Sequence, residues 1–193
     1  MATFIIRHGQ TGWNAEFRLQ GQRDIPLNDT GRGQAAENGR RLRDMAGDLS
    51  GYAFVSSPLG RARETMEILR RAAGLEAQGY AIDERLKEVS FGDWEGSTLN
   101  EIAAVTPDKI FERRQDKWNF MPPGEHAESY EILSWRVGSW LKSLDRPTVA
   151  VCHGGVIRCI FKLVGALSSA EAADLDIPQD RLLRLDDGRL DWL

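Results

Sequence analysis

One pattern occurs twice in this chain. An apolar run leads into His-Gly and then into a turn, first at Ile5-Ile6-Arg7-His8-Gly9 and again at Val151-Cys152-His153-Gly154-Gly155. Short apolar runs bounded by turn residues read as buried strands. The near-continuous run Pro147–Cys152 reads as a central strand covered on both faces. Ligands of open α/β sheets gather at the carboxyl ends of the strands, so the two histidines are expected to meet across one crevice. Alternation puts Arg7 and His8 on opposite sides of the last pleat. Gly9 lets the chain turn and lets a ligand approach the backbone closely, and Thr11 and Asn14 add short polar groups to the same turn. A helix beginning at Gly154-Gly155 would aim free N–H groups at the crevice, an arrangement that favours an anion.

Between these two stretches, strands alternate with helices. Asn28, Asp29 or Thr30 can cap a helix running to about Ala46, with Ala35, Ala36, Leu42 and Met45 on its inner side. Tyr52–Ser56 reads as a strand, and Leu59–Ala72 as a helix with Ala62, Met66 and Leu69 at helical spacing. Residues 80–89 hold one short extended piece and a charged loop, Phe91–Gly96 is a glycine-bracketed turn, and Thr98 starts another helix. From Pro107 to Glu128 no apolar period stands out. Ser129–Leu144 is amphipathic, with Ile132, Leu133, Val137, Trp140 and Leu141 inward. A further helix covers Val156–Val164, and Asp187-Gly188 signals a hairpin in the alternating tail. The expected fold is α/β: a three-layer αβα sandwich over a mostly parallel sheet with an antiparallel edge, forming a single domain over residues 1–193.

The net charge of −4 argues against a general nucleic-acid or anionic-membrane surface, so an anion site must come from locally gathered arginines. Two cysteines, Cys152 and Cys159, are too few for a disulfide scaffold and are expected as buried thiols in a reducing compartment. No apolar run approaches the roughly 20 residues of a membrane span. The first strand is expected to begin almost at Met1, so no signal peptide is expected. A soluble cytoplasmic protein is expected. With three histidines and no Cys/His cluster or paired acidic loop, no metal site and no cofactor are expected.

A third element joins the crevice. Ser56-Ser57-Pro58-Leu59-Gly60-Arg61-Ala62 is again a strand end, a loop and a helix start, and it brings Arg61 to the same rim. With Arg7 it suggests a clamp on phosphate oxygens. Together, Arg7-His8-Gly9-Gln10-Thr11-Gly12-Trp13-Asn14, Ser56–Ala62, Leu86-Lys87-Glu88 with Phe91–Gly96, and Cys152–Arg158 resemble the histidine phosphatase superfamily, also called the phosphoglycerate mutase-like family. The pieces occur in the expected order over nearly the whole chain. The resemblance implies that His8 is a nucleophile carrying a transient phosphohistidine and that Arg7, Arg61 and His153 bind the phosphoryl group. It also implies that Glu88 is the proton donor and that Thr11, Asn14, Gln20, Gly21 and the Gly154 backbone line the pocket.

Elementary chemistry agrees with these roles. Phosphoryl transfer is mostly positioning and charge stabilisation. A nucleophilic histidine must be unprotonated, and neighbouring arginines depress its pKa. One carboxyl can protonate the leaving alkoxide and later activate water. Glu95 is the rival to Glu88, but the match places it in the following structural turn.

The family often has Pro-Gly-Gly-Glu-Ser before its long helix. Here Pro122-Pro123-Gly124-Glu125-His126-Ala127-Glu128-Ser129 looks like a two-residue insertion in a segment that usually shapes substrate choice. His126 is expected to be an exposed loop histidine. The leading reading is a hydrolase of a small phosphate ester, with a homodimer left open. A cofactor-dependent phosphoglycerate mutase is a second reading. Mutases of this type carry a longer insertion between the positions of Glu88 and His153, whereas Arg113, Arg114 and Lys117 could serve an acidic substrate. A non-catalytic phosphate-ligand module is a third, opposed by the presence of Arg7, His8, Arg61, Glu88 and His153 together.

Overall fold

A computed structural model describes residues 2–193. Six strands form one sheet: β1 (Thr3–Arg7), β2 (Ala53–Ser56), β3 (Ala81–Ile82), β4 (Thr148–Cys152), β5 (Leu183–Asp186) and β6 (Arg189–Trp192), in the order β3-β2-β4-β1-β5-β6. β3, β2, β4 and β1 are mutually parallel, and β5 pairs antiparallel to β1 and to β6. Asp187 and Gly188 turn the closing hairpin with φ of 47° and 74°, the left-handed pair that a two-residue turn requires.

The helices are α1 (Gly12–Ala15), α2 (Asp29–Ala46), α3 (Gly60–Ala72), α4 (Leu99–Val105), α5 (Pro107–Gln115), α6 (Tyr130–Lys142), α7 (Gly154–Leu163) and α8 (Ser169–Asp174). Strand alternation sorts the core into two layers. Phe4, Ile6, Phe54, Val149 and Val151 pack with Leu42 of α2 and Ala62, Met66 and Leu69 of α3. Ile5, Ala150 and Cys152 pack on the other face with Leu133, Val137 and Trp140 of α6 and Val156 and Ile160 of α7. Burying each such large apolar side chain contributes about 1.5–3 kcal/mol. The fold is the expected αβα arrangement with an antiparallel edge.

The helices depart from or add to the sequence reading in three places. Met45 is 47% exposed, and the inner stripe of α2 is instead Gly31, Ala35, Asn38, Gly39 and Leu42. The reason is close helix approach: a Cβ on Gly39 would lie 2.3 Å from the Leu69 carbonyl oxygen. An apolarity count passes over glycines that bury by letting backbones touch. Residues 107–115 form a helix, with Pro107 in its first turn and only Ile110 buried, so no apolar stripe announces it. Ile110 joins Trp94 and Ile102 in a small separate cluster against Phe91 and Phe120. α6 ends at Lys142, short of Leu144.

Candidate active site

The parallel ladder delivers the site. Arg7 pairs in register with Cys152, and beyond it His8 N donates to Cys152 O at 2.9 Å and Ser57 N to Val151 O at 2.9 Å. Three strand ends are thereby pinned side by side. Because side chains alternate, Arg7 follows Ile5 to the α7 face and His8 follows Ile6 to the α3 face. Arg7 Nη1 donates to Ile177 O at 2.6 Å, while Arg61 Nε of α3 donates to His8 Nε2 at 3.3 Å.

These contacts define the state of His8. Its Nδ1–H donates to the Gly9 carbonyl at 2.7 Å, leaving the Nε2 lone pair to accept from Arg61. Burial, then the Arg61 and Arg7 charges, push its pKa well below 6.5, against a smaller opposing effect of the Gly9 bond. The ring is neutral, with Nε2 as its free base.

Arg61 is 1% exposed. Its Nη1 and Nη2 donate to the carbonyls of Arg23 and Gly21 at 2.6 and 2.7 Å, so the 20–24 loop orients the guanidinium. That loop also begins α3. No side chain of the preceding turn caps the helix, and Asp24 accepts from Gly60 N at 2.8 Å instead. Gly9 N donates to Thr65 of the same helix at 3.0 Å.

Gly9 is not opened toward a ligand, as the sequence suggested. It is needed for a backbone crossing, since a Cβ there would lie 2.3 Å from the Gly31 carbonyl oxygen of α2.

His153 is fully buried, with its ring centroid 5.1 Å from that of His8. Its Nε2 pairs with Ser57 Oγ at 2.6 Å, while its Nδ1 and Arg7 Nε are both buried without a partner. Buried donors without a partner are rare in folded proteins, and the Arg7 Nε–H here suits an anionic ligand. Burial and the Arg61 and Arg7 charges push the His153 pKa well below 6.5. Burial and the adjacent Arg158 lower Arg7 to about 10, so Arg7 stays charged at neutral pH.

The Glu88 carboxylate is docked on the start of α7. Gly155 N lies 3.1 Å from both its oxygens, and Val89 N donates to Oε1 at 2.9 Å. A negative charge at a helix N-terminus is favourable. Glu95 faces the loops: its Oε1 accepts from Gln22 N and Phe91 N at 2.9 and 3.1 Å. That placement suits a structural role.

A cavity of about 180 Å³ is lined by Arg7, His8, Asn14, Gln20, Gly21, Arg61, Glu88 and Gly154 among the expected residues. Thr11 and His153 are not among them. Thr11 is completely buried, and its hydroxyl caps α1 by accepting from Asn14 N at 3.2 Å, so it shapes the loop from behind. Asn14 Oδ1 accepts from Thr11 N and from Gln179 Nε2 at 3.2 and 3.1 Å. Gln179 also donates to His8 O at 3.0 Å, and nothing in its sequence surroundings marks it.

Arg18, Leu19, Phe91, Arg113, Lys117, Tyr130 and Arg158 complete the lining. Arg158 lies one helical turn after Gly154, a spacing that could have identified it. In a chain of net charge −4, six cations and one carboxylate form this wall. A larger groove of about 450 Å³ beside Leu141, Leu144 and Leu163 gathers no comparable chemistry.

Among the described residues, no group of three or more His, Cys, Asp or Glu is placed to hold a metal ion, and no helix is long and apolar enough to cross a membrane. Cys152 and Cys159 are buried free thiols whose pKa burial raises. His126 lies in the exposed loop with its side chain 87% accessible.

The model of the histidine phosphatase superfamily (branch 1) matches residues 3–189. A protein called "Probable phosphoglycerate mutase GpmB" in Salmonella choleraesuis (strain SC-B67) is 33% identical over 201 residues, covering 100% of this chain and 88% of that protein. The structure of mycobacterial glucosyl-3-phosphoglycerate phosphatase with VO3 superposes with a TM-score of 0.80 at 30% identity, over 99% of this chain and 97% of that one. The alpha-ribazole phosphatase from Shigella flexneri shares the fold, with a TM-score of 0.81 at 23% identity over 100% and 95% of the two chains.

Proposed function

This chain belongs to the histidine phosphatase superfamily, branch 1, and we propose that it is a metal-independent phosphomonoesterase acting on a small phosphorylated metabolite through a phosphohistidine. The observation that carries the reading is the His8 arrangement, with Nδ1–H on the Gly9 carbonyl and the Nε2 lone pair beside Arg61. A neutral, oriented imidazole next to two fixed cations is the nucleophile such a reaction needs.

In the first half-reaction His8 Nε2 attacks phosphorus and the ester P–O bond breaks. Glu88, in its protonated form, gives its proton to the leaving alkoxide. Arg7, Arg61 and His153 hold the phosphoryl oxygens, with Asn14, Gln20, Gly21 and Gly154 around them. In the second half, Glu88 takes a proton from water as the water attacks phosphorus, the P–N bond breaks and inorganic phosphate leaves. The arginines supply the charge that a metal ion would otherwise bring. The small cavity supports a small ester.

The test is His8→Ala. The parent enzyme, mixed rapidly with labelled substrate, should trap an acid-labile, base-stable phosphoenzyme. The variant should fold, trap nothing and lose turnover. Near-parental turnover in the variant rejects the nucleophile assignment.

A second reading is favoured by the mutase name of a relative at 33% identity and by Arg113, Lys117 and Arg158 in the cavity wall, cations suited to a second acidic group. In that reading the phosphoryl group returns to a sugar-acid hydroxyl. Incubation with 3-phosphoglycerate and a trace of 2,3-bisphosphoglycerate separates the two. Free phosphate should accumulate faster than 2-phosphoglycerate, and the reverse ratio establishes the mutase.

A further inference from the structure

We infer that Arg136, held by Glu128, positions Glu88 for proton transfer, although neither side chain lines the cavity. The inference rests on Glu88 being the general acid of the proposed reaction. Residues 87–91 belong to no helix or strand, so no backbone ladder holds the segment that carries the acid.

One guanidinium from α6 takes over that task. Arg136 Nη1 donates to Arg85 O at 3.0 Å and also to Lys87 O, and Nη2 donates to Glu88 O at 2.9 Å. Its charge is met by Glu128, with Nη2 to Oε2 at 2.8 Å and Nε to Oε1 at 3.2 Å.

Glu128 in turn grips the chain on the far side of the acid, accepting from Ser90 N at 3.1 Å. Gln22 Nε2 bridges the pair to the loop that orients Arg61, donating to Glu88 O at 3.0 Å and to Glu128 at 3.4 Å. The backbone before, at and after Glu88 is therefore tied to one ion pair, whose side chains are only 21% and 17% exposed. Charge-assisted bonds in such a setting are strong and directional.

Only a planar fork spans these acceptors at once. An ammonium at the same place keeps the charge and loses the geometry. A displacement of about 1 Å in a reacting group costs on the order of 10²-fold in rate. The loss should fall on the step in which Glu88 delivers its proton, and on substrates whose leaving group needs that proton.

The experiment measures single-turnover phosphorylation of the enzyme by a nitrophenyl ester and by an alkyl ester, in the parent, Glu88→Gln, Arg136→Lys, Glu128→Gln and the Glu88→Gln/Arg136→Lys double variant. Arg136→Lys and Glu128→Gln should slow the alkyl ester by about 10²-fold and the nitrophenyl ester by less than about fivefold, with KM nearly unchanged. The double variant should be no more selective than Glu88→Gln alone. Glu128→Gln serves if Arg136→Lys does not fold, since it loosens the same clamp from the other side.

Equal losses on both esters in the clamp variants, with Glu88→Gln still selective, overturn the positioning role and leave the general acid in place. Equal losses on both esters in Glu88→Gln itself reject Glu88 as the acid, and the inference falls with it.

Discussion

Glu88 and Gly155 meet where a β-carbon has no room: Gly155 N lies 3.1 Å from both carboxylate oxygens, and a Cβ on Gly155 would sit 2.3 Å from Oε1. The first turn of α7 thus seats a carboxylate of the protein itself. Gly155→Ala should displace Glu88 and lower kcat on alkyl phosphates by at least about tenfold, as expected for a shifted acid. Circular dichroism should report an unchanged fold. Parental kcat in this variant shows that the docked position of Glu88 does not matter to turnover.

Activity should survive EDTA and be inhibited by vanadate. The charge at the site comes from Arg7, Arg61 and their neighbours, and a phosphoryl-like oxyanion suits the orphan donor Arg7 Nε. Phosphate release measured after exhaustive chelation checks the first half. Loss of activity that only an added divalent ion restores contradicts the charge assignment.

Stability should fall as the pH drops below the ordinary histidine range. The folded-state pKa values of His8 and His153 lie well below 6.5, so below that pH the unfolded chain binds protons that the native state refuses. Each residue then contributes a slope of up to about 1.4 kcal/mol per pH unit, absent above the unfolded value and ending at the folded one. Urea unfolding at intervals from pH 5 to 8 should show this decline, and His8→Asn should show a shallower one. Parallel curves for the two proteins refute the assignment.

Phe17 should be a site of stabilisation. It follows the α1 turn with φ of 58° and is 85% exposed. Phe17 N donates to Asn14 O at 3.1 Å and Arg18 N to Trp13 O at 2.8 Å, the paired bonds of a helix end that prefers glycine at this position. Phe17→Gly relieves the left-handed strain and removes no buried contact. A gain of about 0.5–1 kcal/mol is expected from denaturant unfolding, and a loss of stability shows that the exposed ring makes contacts of its own.

Much of this protein is determined locally. Alternation in Phe4-Ile5-Ile6-Arg7-His8 already separates Arg7 from His8 across the sheet, because a strand has period two whatever surrounds it. The apolar run Thr148–Cys152 needs cover on both faces, and Asp187-Gly188 turns a hairpin by its own backbone preference. The convergence of Arg7, His8, Arg61 and Gly154 on one cavity follows from motifs placed at strand ends, whereas Gln20, Gly21 and Glu88 reach it from loops.

What only the tertiary structure decides concerns groups whose partners are distant in the chain. Thr11 has the hydroxyl of a ligand-binding residue, but its neighbours seal it and use it as a cap. Gly9, Gly31, Gly39 and Gly155 matter through the atoms that approach them, and a sequence does not display those atoms. Asp24 starts a helix that lies in another part of the chain, and Gln179 reaches His8 from 171 residues away. Arg136 reads locally as one more polar position on an amphipathic helix. Its three carbonyl acceptors and its carboxylate exist as a set only after α6 has packed beside the loop that carries Glu88. A hydrogen bond depends on distance and direction in space, and separation along the chain encodes neither.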